Sequence, residues 1–323
     1  MHDDIAAATD PVRRPRGFDR LTSRLLAAVF VILAVVYVVW DALHLTIPPT
    51  ATVPDYVVYV LQAVPSVAAI LLPAAIIWRH PDAWNTVRTI LFGAILYAAV
   101  QALLVLADPL QGFFESLTPA SQDLPFLVPA AATYDTLISL VAAFGLGYIA
   151  VGLSIARRYT DTGSRWVTGW FVPVATVFGT VVGVLAVSRI DLGGTPMTPA
   201  LALYLASSVI LGVLRIVVWA FLASVVTRGW LEREEPRTGW GLASLSTAFV
   251  LVALALVNLS GVVQFGNDAF GTGVGYVIVT AYAAGHLLLL AAFLVGLPEV
   301  DVIEDADDDG LESPEGEGVL ARD

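Results

Sequence analysis

Two residues stand where an apolar helix does not normally carry them. Arg215, in Gly212-Val-Leu-Arg215-Ile-Val-Val, and His286, in Ala283-Ala-Gly285-His286-Leu-Leu, each lie near the middle of a long apolar run. An arginine at the centre of a membrane helix costs about 2.5 to 3.5 kcal/mol on insertion scales, so it faces a bundle interior or a watery cavity. Its chemistry there is to contact an anion or a substrate carboxylate, or to pair structurally with an internal acceptor. No carboxylate sits at equal depth on another run. The His286 imidazole titrates near neutrality and could relay protons, or it could stay neutral and hydrogen-bond across helices. The small residues before it allow a second helix close approach. Arg215 and His286 are the candidate lining of an internal polar cavity.

A second constellation is Asp41, His44 and Asp135. Asp41 and His44 are three residues apart and share a helical face. A carboxylate orienting an imidazole is the logic of a general base or a metal ligand. Asp135 falls at matching depth on another run, which makes an outer-face polar cluster. The competing reading is plain interfacial polarity beside Trp40. A haem held by two histidines is excluded, because His44 and His286 differ in depth by roughly 15 Å at 1.5 Å per residue. No metal centre or cofactor is expected.

Two helix-breaking residues, Pro65 and Pro73, share one apolar run. Each removes a hydrogen bond and leaves a carbonyl four residues earlier without its helical partner. Broken helices of this kind mark substrate sites in some transporters, although proline is also common in ordinary membrane helices. Near the C-terminus, Asp305, Asp307 and Asp309 with Gly310 imitate the start of a calcium loop. The twelfth position is Gly316, not glutamate, and no amphipathic helix brackets the segment, so it reads as a solvated acidic tail.

Other motifs dissolve in context. Gly145-Leu-Gly147 mimics a dinucleotide fingerprint but follows no strand, and Asn258-Leu-Ser260 places a glycosylation sequon inside an apolar run. Ala175, Gly179 and Gly183 form a small-residue stripe suited to close helix packing. There is no serine elbow, zinc-protease motif, phosphate-binding loop or aspartate-rich prenyl-diphosphate motif, which leans against an enzyme.

These residues need elements to hold them. The chain has 323 residues, 58% hydrophobic and 14% charged, with mean hydropathy +0.81. A soluble domain carries roughly 25% charged residues, so this surface suits lipid better than water. The apolar residues fall in blocks over 24–45, 57–79, 86–107, 132–157, 166–188, 199–227, 241–264 and 273–297. Each is long enough for a helix across a core of about 30 Å, where every backbone polar group must be satisfied internally. The expected fold is therefore all-α: a polytopic transmembrane bundle of eight spans.

Orientation follows from arginine. All 16 basic residues are arginine, and 14 of them fall in alternate connections or termini that share one side; only Arg189 falls on the other, and Arg215 lies within a span. Under the positive-inside rule both termini are cytoplasmic. Residues 1–20 form a basic segment, 21–298 the membrane domain, and 299–323 a disordered tail with 11 acidic residues and one arginine. That tail carries most of the net charge of -12. No four-plus-four repeat is convincing in the sequence; Pro65 and Pro73 have no counterpart in the sixth run. The lysine-free, acidic, alanine- and valine-rich composition is of a halophilic, archaeal kind.

The expectation is a multi-pass protein of the cell membrane, transporter-like or accessory. Its partners would be the lipid bilayer and a small-molecule or ion ligand, with no nucleic acid. The alternatives are an enzyme working from the outer cluster and a scaffold recruiting a partner through its tail.

Overall fold

The computed structural model describes residues 20–44, 52–80, 84–104, 127–156, 168–189, 199–231, 238–263 and 269–297. Among them the chain is entirely helical: α1 Arg20–His44, α2 Val53–Arg79, α3 Trp84–Leu104, α4 Leu127–Ala156, α5 Phe171–Ser188, α6 Pro199–Leu231, α7 Thr238–Val263 and α8 Ala269–Val295. Seven of these contain stretches long and apolar enough to cross a membrane, and α3 contributes a shorter one, Val87–Leu103. The protein is thus a multi-pass helical bundle of membrane type. Local chemistry sets several ends. The Asp55 carboxylate accepts from the Thr52 amide at 2.7 Å and the Thr52 hydroxyl at 2.8 Å, capping α2. Gly296 closes α8 at φ +135°, a conformation natural to glycine. The fifth helix starts at Phe171, later than its apolar run suggests, with Pro173 in its first turn, where a missing N–H costs nothing.

Six helices close a ring. α2 packs on α3, α3 on α4, α4 on α6, α6 on α7, α7 on α8, and α8 returns to α2. α1 lies outside against α2, and α5 outside against α6 and α7. Burial agrees: 17% of the apolar stretch is buried in α1 and in α5, against 61% in α2.

Neighbouring residues fix the directions. Gly152 meets Ile90 and Gly145 meets Gly93 and Tyr97, so α3 and α4 are antiparallel. Gly229 packs on Trp240 and Gly212 on Asn258, which makes α6 and α7 antiparallel too. Gly296 touches Arg79, so α2 and α8 end together. At that same end Arg228 donates to the Thr168 hydroxyl at 3.0 Å, and Arg24 shares an apolar groove with Trp78 and Leu294. The arginine-bearing ends of α1, α2 and α6 and the C-terminal end of α8 are therefore one end of the bundle. His80 caps α2 there, half-buried; burial first, then the neighbouring Arg79 guanidinium, holds its imidazole below the ordinary value of 6.5.

The adjacency has an internal symmetry. Matching α1 to α5, α2 to α6, α3 to α7 and α4 to α8 reproduces the packing pairs, including the two closures α4–α6 and α8–α2; only α5–α7 has no counterpart among the main packing pairs. The close contacts repeat as well. A Cβ on Gly145 would lie 2.8 Å from the Gly93 carbonyl oxygen and 2.9 Å from the Tyr97 amide. A Cβ on Gly285 would lie 3.0 Å from the Ser246 carbonyl oxygen and 3.2 Å from the Val250 amide. In both pairs the partners are a carbonyl and the amide four residues on. The four-plus-four repeat absent from the sequence pattern is therefore present in the packing.

Candidate functional site

The ring encloses a cavity of about 440 Å³. All six ring helices line it and neither outer helix does. The lining residues fall in the N-terminal half of α2 and α8 and the C-terminal half of α3 and α7, so the cavity sits toward the end of the bundle opposite the arginines. Most of the wall is apolar. Its polar side chains are Gln62 and Ser66 on α2, Tyr97 and Gln101 on α3, Ser139 on α4, Arg215 on α6 and Tyr282 on α8, with the Trp219 indole beside them.

Among the described residues Arg215 is the single charge in this wall, and none of the lining side chains is a carboxylate. Its guanidinium donates from Nη2 to the Ser139 hydroxyl at 2.7 Å, bridging α6 to α4. Ser139 is a neutral acceptor, so it orients the guanidinium without balancing its charge. Pro65 also faces the cavity, and its ring deprives the Leu61 carbonyl on the same wall of a helical amide. The next residue, Ser66, donates its hydroxyl to Gln101 Oε1 at 3.0 Å, tying α2 to α3 beside the proline. Pro73 is buried further along α2, outside the cavity wall.

His286 lies behind the wall, 2% exposed. Its Nδ1 is 2.9 Å from the Tyr282 carbonyl oxygen, which can only accept, so Nδ1 carries the proton of the neutral ring. Nε2 is then the acceptor for the Tyr97 hydroxyl at 2.8 Å. The Tyr282 phenol is within interaction reach of the Tyr97 hydroxyl. The result is a chain from the Tyr97 hydroxyl through His286 to the Tyr282 backbone. The rings are packed to match: Tyr282 and Trp219 lie 4.5 Å and 5.4 Å from the imidazole, centroid to centroid. Arg215 is within electrostatic reach of both phenols. Ser246 donates to the Gly285 carbonyl at 2.6 Å and fixes α8 against α7 just before His286.

The two central residues singled out in the sequence thus meet at one site, Arg215 in the wall and His286 one layer behind it. The sequence left the residues between them unmarked. Tyr97, Trp219 and Tyr282 are aromatics at helical spacing, and nothing in their neighbours distinguishes a cavity face from a lipid face. The available signal was the pair of small-residue steps, Gly145 to Gly152 and Gly285 to Ala292, which set the depth at which both hairpins press together.

The outer-face cluster is described only in part. Asp41 borders an apolar cleft between α1, α2 and α8, beside Tyr59, away from the central cavity. The side chains of His44 and Asp135, and Asp305, Asp307 and Asp309 in the tail, lie outside the described residues. No group of three potential metal ligands occurs among the described residues. Ala175, Gly179 and Gly183 pack on Ile216, Val213 and Val209 of α6, so the small-residue stripe serves internal packing. Gly145 likewise serves the α3–α4 contact. Asn258 turns its amide back to the Leu254 carbonyl at 2.7 Å, within its own helix.

Comparison with known protein families, with curated proteins and with solved structures finds no match to this chain.

Proposed function

We propose that this protein is a transporter-like or accessory membrane protein that binds a small ligand in its central cavity. In this reading all eight helices cross the bilayer, both termini are cytoplasmic, and the cavity belongs to the outer half of the membrane. The observation that carries it is the ring itself: six helices converge on a space of about 440 Å³ with a guanidinium in its wall and apolar side chains around it. Small-molecule sites occupy roughly 300–1,000 Å³ and combine an apolar lining with a few fixed polar groups. A purely structural arginine needs an acceptor, but it does not need an open volume beside it. Pro65 in the cavity wall, with the helical hydrogen bond it removes, supports the same reading. The clustering of Arg24, Arg79 and Arg228 at the opposite end supports the orientation.

The absence of native cysteine makes accessibility labelling direct. Single cysteines at Val257 in the cavity wall and at Ile149 in the packed core would be treated with a membrane-impermeant maleimide in sealed vesicles. The reading requires Val257→Cys to react from the outer side only, and Ile149→Cys not to react while the protein is folded. An inert Val257→Cys, or equal labelling from both sides at low reagent, would remove it.

A further inference from the structure

We infer that the cavity takes a monovalent organic anion, a carboxylate on an apolar body. This rests on the cavity being a ligand site, as proposed above, and adds the chemical class.

The inference starts from charge. Arg215 brings a guanidinium, a full positive charge, into the wall. Among the described residues the cavity wall offers it one direct partner, the neutral Ser139 hydroxyl, and no carboxylate. A cation in a poorly hydrated interior is costly until a counter-charge pairs with it. An anionic occupant supplies the counter-charge that the described lining does not.

Geometry narrows the class. One cation balances one negative charge, so a monoanion fits and a phosphate dianion is left under-compensated. One Nη2 hydrogen of Arg215 is spent on Ser139, which holds the planar fork in place and leaves its other donors for the cavity. That fork matches a carboxylate in a two-point contact. The Tyr97 phenol does not compete as a donor: it gives its proton to His286 and presents an oxygen lone pair. The two-point contact with the carboxylate is made at Arg215 on the α6 wall, and the Gln62 and Gln101 amides are the further donors in the lining. The rest of the volume is bordered by Leu146, Val218, Leu254, Ile278 and Val279, which suit an aliphatic or aromatic body. His286 acts here as a positioning residue: by holding the Tyr97 proton it keeps that phenol from donating to the ligand.

The test uses the full chain in nanodiscs of neutral phosphatidylcholine. Benzoate and octanoate are titrated beside benzamide, octanamide and butyltrimethylammonium. Binding is read by thermal shift and by isothermal calorimetry. The expected result is saturable binding of at least one carboxylate, with its amide weaker by at least about tenfold and no binding of the cation. Preference for benzoate points to a water-soluble acid and preference for octanoate to one drawn from the bilayer; either supports the class. Arg215→Gln should lose the difference between acid and amide. If Arg215→Gln fails to fold, Ala142→Glu serves instead. It stands one turn from Ser139 and gives Arg215 an internal counter-charge, so it should fold and lose carboxylate binding. Equal binding of acid and amide, or carboxylate binding retained in a folded variant, would overturn the inference. A cavity that labels at Val257→Cys but binds no carboxylate overturns the class and leaves the ligand site standing; a cavity that does not label removes both.

Discussion

At the residue scale, the centre of the molecule is organised by where two protons go. The Tyr282 carbonyl decides the tautomer of His286, and the tautomer decides the direction of the Tyr97 hydroxyl. Buried polar networks of this kind specify one arrangement when every member is satisfied and penalise partial removal. His286→Leu strands the Tyr97 hydroxyl and should cost about 1–3 kcal/mol. Tyr97→Phe strands Nε2 at a similar cost. The double variant removes both partners together, so it should be less destabilised than the two single losses combined, by about 1 kcal/mol or more. Unfolding of the four proteins in a mild detergent measures this coupling, and strictly additive losses would show that the 2.8 Å contact does not bind these residues into a unit. The sequence exposed Arg215 and His286 because a charged or titratable group inside an apolar run is conspicuous in one dimension. It could not expose Tyr97 or Tyr282, whose roles depend on which of several helices each faces.

At the element scale, the helices themselves were legible because bilayer thickness imposes a length on apolar runs. The fine boundaries were less so: α4 begins at Leu127, ahead of its expected start, and α5 at Phe171, behind it. How the helices meet depends on single atoms that hydropathy averages away. Gly145 and Gly147 look alike in sequence. A Cβ at Gly145 would press on the backbone of α3, whereas a Cβ at Gly147 would meet nothing within 4 Å. Gly145→Ala should therefore force α3 and α4 apart and destabilise by roughly 1–3 kcal/mol, the usual range for overpacking. Gly147→Ala should be neutral or stabilising by up to about 1 kcal/mol, the helix-propensity difference. Thermal unfolding of the two variants distinguishes them, and equal behaviour would mean that the hairpin does not close at this glycine. Gly285→Ala should follow Gly145→Ala, since its Cβ would lie 2.5 Å from Val250 Cγ2.

At the scale of the whole molecule, the two halves share a packing plan and differ where the cavity is. Aligning Gly145 with Gly285 and Gly152 with Ala292 places Ile138 opposite Ile278 and Ser139 opposite Val279, all in the cavity wall. The same alignment sets Tyr282 against Ala142 and His286 against Leu146, so α4 has no counterpart of either residue, and the partner of His286, Tyr97, comes from the other half. Arg215 has Ser66 at a similar height on α2, since Arg228 and Arg79 mark the matching ends of α6 and α2. Chemistry at these positions differs between halves while backbone contact does not, which is why the repeat escaped the sequence: packing requires only small residues at a few steps, and every other position is free to drift. Because each half contains a glycine-closed antiparallel hairpin, α3–α4 or α7–α8, each half has its own tightest contact. The chain divided between residues 163 and 164 and co-expressed as two polypeptides should therefore assemble. Affinity purification of one half should recover the other in equal amount, and Gly145→Leu or Gly285→Leu in either half should reduce that recovery several-fold by opening the hairpin on which α4–α6 or α8–α2 docking depends. Recovery of neither half, with the undivided chain folding normally under the same conditions, would mean that the continuous chain between α4 and α5 is what brings the halves together, and that the shared packing plan does not make each half a folding unit.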